Sequence, residues 1–133
     1  RYPTPDLHIP HYSFHPMSDE EWSALAPHVT PDRTRGGRPA DHRRTWDGIF
    51  WIALSKRPWR DLPERFGRPG TVHRALLRAA RAGLLDTLMV SVSADRRHRR
   101  ADLLTLAHRI LRAFRRAFRA LGLASILLAR ALG

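Results

Sequence analysis

The sequence has no cysteine, so it can build neither a disulfide scaffold nor a thiolate zinc site. It has almost no lysine: of 24 basic residues only Lys56 is one, and the rest are arginine. Acidic residues number 12, leaving a formal charge of +12 at pH 7. Long apolar runs are missing too. The most apolar stretch, Leu121 to Leu132, is broken by Gly122, Ser125 and Arg130 and falls short of the ~20 residues of a membrane-spanning helix. The start lacks the basic-then-apolar order of a signal peptide, and Met17 reads as a candidate translation start. No Ser/His/Asp set, phosphate-binding glycine loop or zinc-ligand spacing is visible. No cofactor, no metal and no small-molecule substrate is therefore expected.

What is present is arginine and an apolar fraction of 43%. The apolar fraction suffices for one small core in 133 residues. Arginine is the side chain suited to bidentate contact with phosphate and guanine. Such an excess wants a polyanion, either nucleic acid or an anionic membrane surface. GC-rich coding DNA would explain arginine over lysine, but not the shortage of acids.

The periodicity predicts an all-α chain. Residues 1–16 hold four prolines and no period and read as a flexible leader. His8, His11 and His15 cluster there, but Pro10 breaks any helix that would align them as ligands. Ser18 with Glu21 three residues on has the form of a capping box. A helix should follow, with Trp22, Leu25 and Ala26 inward and its end soon after Pro27. Residues 30–40 form a Pro/Gly-rich basic loop carrying Arg33, Arg35 and Arg38. A second helix begins at Asp41, a good N-cap. Its stripe of Trp46, Ile49, Phe50, Ile52, Ala53 and Leu54 marks the central core helix. Trp46, Trp51 and Trp59 are expected as core anchors. A short helix is expected over Trp59–Phe66 and another over Thr71–Ala82, with Val72, Ala75, Leu76 and Ala79 inward. A fifth is expected over Leu84–Met89; Val90–Ser93 resembles a strand but has no partner.

The helix pair across 59–82 has the grammar of a helix-turn-helix, with a glycine turn between. The second helix would enter the major groove. Thr71, His73 and Arg74 sit at its N-terminal end, where base edges are reached, and Arg78 and Arg81 are placed to meet phosphate. Arg35 and Arg38 are candidates for a narrow minor groove. Arg43, Arg44, Arg60 and Arg68 are candidates for the DNA backbone. Asp61 and Glu64, beside Arg60 and Arg65, read as surface ion-pair partners rather than a catalytic acid pair.

Several blocks occur in order: SDEEW from Ser18, GRPADHR from Gly37, DGIFW from Asp47, PWRDLPERFG from Pro58 and TVHR from Thr71. Together they resemble the N-terminal domain of bacterial insertion-sequence transposases of the DDE class, over roughly residues 17–90. The resemblance implies a helical DNA-binding domain that recognises the terminal inverted repeats of an element. It also implies a downstream RNase-H-like domain whose three carboxylates hold two metal ions. After residue 86 this sequence has only Asp95 and Asp102, both among arginines. These residues are therefore expected not to catalyse: the chain reads as a truncated or frameshifted transposase, or a transposase head kept as a DNA-binding protein. An active transposase would need a segment beyond Gly133.

The charge is concentrated at one end. Residues 1–95 hold 14 basic and 11 acidic residues, whereas residues 96–133 hold 10 arginines and one aspartate. The chain accordingly divides into the leader (1–16), a DNA-binding domain (17–95) and an Arg-rich tail (96–133). In the tail Leu103, Ala107, Ile110, Phe114, Ala117 and Leu121 repeat at helical spacing, with Arg109, Arg112, Arg115, Arg116 and Arg119 expected on the other side. Ala124–Leu132 has the composition of a further helix. This amphipathic tail admits packing on the head with its arginines presented to DNA phosphate, or a homo-oligomeric seam, and after these an anionic membrane. The leading expectation is sequence-specific binding of double-stranded DNA by a cytoplasmic, nucleoid-associated bacterial protein. The alternative is a non-enzymatic interaction protein whose tail binds membrane or a partner helix.

Overall fold

A computed structural model describes residues 14–30 and 41–121. Five α-helices follow in order: α1 (Asp19–Val29), α2 (His42–Ser55), α3 (Pro69–Arg81), α4 (Leu84–Ala94) and α5 (Arg100–Leu121). Two single 3-10 turns, Trp59–Asp61 and Glu64–Phe66, lie between α2 and α3. The described residues contain no strand, and the all-α expectation holds.

Helix starts follow the capping chemistry. Ser18 Oγ accepts from the Glu21 N–H at 3.1 Å, and Glu21 Oε1 accepts from the Ser18 N–H at 3.0 Å, a closed capping box. Asp41 Oδ1 accepts from the Arg44 N–H at 3.0 Å and starts α2. The expected helix over Trp59–Phe66 is instead the two 3-10 turns. Pro63 lacks an N–H and holds Leu62 extended (φ −61°, ψ 126°), so no helix runs through it. Leu62 and Phe66 nevertheless face inward, 6% and 4% exposed. α3 starts at Pro69 rather than Thr71, proline being at home in a first turn. Val90–Ser93 is the last turn of α4, not a strand: with no partner strand, the helix alone satisfies its backbone. Gly83 at φ +74° lets the chain leave α3 and enter α4 directly.

α2 is the central element, with Trp46 through Ala53 all buried. Its most extensive contact is with α5, which lays Leu106, Ile110 and Phe114 into the core with no exposure. The Trp46 and Phe114 rings stack at 6.4 Å. The face of α5 offered to membrane or partner helix in the sequence reading is thus occupied by the chain's own core. The buried stripe also differs from the expected one. Leu106, Ala113 and Phe118 join it, while Ala107 and Leu121 are half-buried. In α1, Ala24 and Leu25 are buried while Trp22 and Ala26 are half-buried. In α3, Ala80 is buried while Ala75 and Ala79 are half-buried.

Close approach of α2 to the second 3-10 turn depends on Gly48. A Cβ there would lie 2.8 Å from Phe66 Cβ. Two buried carboxylates tie the chain entry to the helices. Asp47 Oδ1 accepts from the Met17 N–H at 2.8 Å. Glu21 forms an ion pair with Arg109 of α5, Nε to Oε2 3.0 Å. Arg109 Nη2 also donates to the His15 carbonyl at 2.7 Å, and Phe14 meets Phe66 edge-on at 5.8 Å.

Candidate nucleic-acid interface

α3 carries the candidate site. Its inward residues Val72, Leu76 and Ala80 are buried, which turns Thr71, Arg74, Arg78 and Arg81 outward, all exposed. The helix contains no carboxylate. Arg68 at its N-cap is exposed and provides no side-chain cap, so the first-turn N–H groups stay open to an anion. Arg74 folds back over its own first turn: a Cβ on Gly70 would lie 3.2 Å from Arg74 Nη1. Arg74, Arg78 and Arg81 have no ion-pair partner among the described residues.

Flanking elements bring further cations to this helix. Arg44, exposed in the first turn of α2, reaches the turn before α3, 3.7 Å from where a Cβ on Gly67 would sit. His42 and Thr45 of α2 share a groove of about 290 Å³ with Ala75, Arg78 and Ala79 of α3. Thr30 and His42, near the two ends of the described chain that flank residues 31–40, both line it. Arg35 and Arg38 lie outside the described residues, as do Arg33 and the expected Ala124–Leu132 helix. Arg60 is exposed on the first 3-10 turn.

Two expected contacts are placed differently from the rest. Arg43 is engaged within the fold: Nη1 donates to Asp19 Oδ1 at 2.9 Å and Nη2 to the Met17 carbonyl at 2.8 Å. His73 is half-buried, its ring stacked on Trp59 at 4.5 Å and 17°. Burial, then the nearby Arg116, holds its pKa below the ordinary histidine value, so the ring is neutral near pH 7. Arg109 and Arg116 of α5, expected on the outer side, are turned inward. Arg116 Nη2 donates to the Arg57 carbonyl at 2.7 Å, with its guanidinium over Trp59 at 5.4 Å. Their places at the border of the α5 core face, joined to reachable acceptors, explain this.

Asp95 and Asp102 are both engaged locally. Asp95 accepts from the Arg97 N–H at 2.7 Å and from the His98 side chain at 3.0 Å. Donation from Arg97 is the chief reason its pKa is lowered. Asp102 pairs with Arg99 at 3.0 Å. Asp61 pairs with Arg57 at 3.3 Å. Sequence reasoning missed Asp47, the Glu21–Arg109 pair and the Trp59–His73 stack. The capping-box residue Glu21 was the one visible signal among them.

No helix of the described residues is long and apolar enough to cross a membrane. Residues 17–89 match the family described as "Putative transposase of IS4/5 family". The uncharacterized protein y4sN of Sinorhizobium fredii is 34% identical over 81 residues, 59% of this chain and 64% of that relative. The chain therefore spans somewhat less than two thirds of that relative's length. No solved structure matches. With the match covering α1 through most of α4, the chain belongs to the IS4/5 transposase family.

Proposed function

We propose that the chain binds double-stranded DNA in a sequence-specific way, as the end-recognising portion of an IS4/5-type transposase. One observation carries this reading: the carboxylate-free arginine face of α3, unpaired among the described residues and wholly inside the family-matched segment. α3 is then the recognition helix of a helix-turn-helix whose leading arm is a pair of 3-10 turns. Thr71 and Arg74 read base edges in the major groove, and His73 offers the edge of a neutral ring. Arg44, Arg60, Arg68 and Arg78 contact phosphate, while Arg43 braces α2 against the chain entry. Arg35 and Arg38 take the minor groove. No catalytic step is assigned to these residues.

The test is a pair of substitutions measured on a panel of duplexes. Arg74→Ala should lose about 1–3 kcal/mol on the preferred sequence and flatten the preference. Arg78→Ala should weaken all duplexes evenly and reduce the salt slope by about 1. An even loss for Arg74→Ala would reassign it to phosphate. No loss for either would remove α3 from the interface.

A further inference from the structure

We infer that the outer ridge of α5, formed by Arg112, Arg115 and Arg119, is a second DNA-contact surface that grips the phosphodiester backbone by charge alone. This rests on the DNA-binding reading above, but the ridge lies outside the family-matched residues and uses none of the α3 side chains.

The distribution of ion pairs leaves the ridge unpaired, as it does the arginines of α3. Arg43, Arg57, Arg97, Arg99 and Arg109 each hold a carboxylate. Arg112, Arg115 and Arg119 are exposed and hold none among the described residues. The only acid on α5 is Asp102, in its first turn and already paired with Arg99. Beyond Arg109, whose charge Glu21 meets, the outward arginines of the helix have no carboxylate beside them among the described residues.

Spacing then aligns the charges. Arg112, Arg115 and Arg119 follow at intervals of three and four, a single stripe opposite the buried Ile110, Phe114 and Ala117. The three arginines span roughly 10 Å at 1.5 Å per residue. Duplex DNA offers one phosphate charge per roughly 1.7 Å of axis, so three guanidiniums on this length meet a dense row of acceptors. The C-terminal end of the ridge adjoins α3: Arg119 lines a groove of about 340 Å³ together with His73 and Leu76. Favourable interaction with the helix C-terminus would account for Arg119, but not for Arg112 two to three turns upstream.

The experiment is the triple substitution Arg112→Gln, Arg115→Gln, Arg119→Gln in the full chain, glutamine keeping the helix propensity. Binding to a preferred and a scrambled duplex is followed from 50 to 200 mM salt, beside thermal unfolding. The ridge predicts an equal loss on both duplexes and a salt slope lower by about 2.7, from 0.9 per phosphate. Between the two salt concentrations the variant then loses about 40-fold less affinity than the unsubstituted chain. Stoichiometry at saturation tells whether the ridge holds the duplex that α3 enters or a second one. An unchanged slope with unchanged affinity overturns the ridge and leaves the α3 reading standing. So does a loss confined to anionic phosphatidylserine vesicles, or a lowered unfolding temperature with unaltered binding. An unsubstituted chain that binds no duplex overturns both.

Discussion

Charge at single residues divides by burial. The Glu21–Arg109 pair joins α1 to α5 with side chains only 6% and 13% exposed. Removing one partner of so enclosed a pair leaves an uncompensated charge. Arg109→Ala should therefore cost about 3 kcal/mol in urea unfolding, whereas Arg112→Ala, on the outer ridge, should stay within about 0.5 kcal/mol. Equal effects would contradict the division of α5 arginines into struts and surface. Asp47 behaves differently, because burial raises its pKa above the ordinary 3.8 despite the Met17 N–H and the nearby Arg109 and Arg43. The folded chain then binds this proton more readily than the unfolded chain. Its stabilising contribution is full below about pH 3.8 and is lost as pH rises through the folded value. The stability of the native chain relative to Asp47→Asn should fall as pH rises above about 4, and a rise instead would show that attraction outweighs burial. Neither residue's role was legible in the sequence. An aspartate inside an apolar stripe and an arginine on a basic helix look the same whether they meet water or each other.

At the scale of elements, caps and prolines told most. Ser18, Asp41 and Gly83 sit at the expected helix boundaries because their local chemistry needs nothing distant, whereas Pro69 opens α3 two residues before the expected start. The 59–66 segment was misread for the converse reason. Leu62 and Phe66 have helical spacing, but Pro63 vetoes the helix, and two inward residues are compatible with 3-10 turns as well. The outward face of α3 was legible because Arg74, Arg78 and Arg81 repeat opposite Val72 and Leu76. The His73–Trp59 stack was not, since it joins residues on separate elements. Gly48 is a further case. Nothing in the sequence marks it, yet it is where α2 meets Phe66 so closely that a Cβ would lie 2.8 Å from Phe66 Cβ. Gly48→Ala must push the second 3-10 turn outward, at about 1–3 kcal/mol. Because that turn leads into α3, DNA affinity should fall along with thermal stability. Full retention of both would show that the turn gives way without moving α3.

Across the whole molecule the basic excess sorts into arginines that hold the fold and arginines left free at its surface. Among the described residues the free ones include Arg74, Arg78 and Arg81 on α3, Arg44 at the start of α2 and Arg112, Arg115 and Arg119 along α5. Only those on α3 and α2 lie within the family-matched residues. Yet α5 supplies much of the core through Leu106, Ile110, Ala113 and Phe114, each wholly buried, and so completes the bundle on which α3 rests. Composition showed the asymmetry of charge, and periodicity showed that α5 was amphipathic. Which surface received its apolar face depended on shape complementarity with α2, which no spacing rule encodes. The most direct measurement is binding of the full chain to short duplexes over a salt series, comparing an inverted-repeat end of a related insertion element with a scrambled duplex. The account predicts tight, selective binding to the repeat end, with selectivity surviving added salt while overall affinity falls. Equal binding to both duplexes, vanishing together as salt rises, would contradict sequence recognition by α3 and leave a protein that only coats DNA.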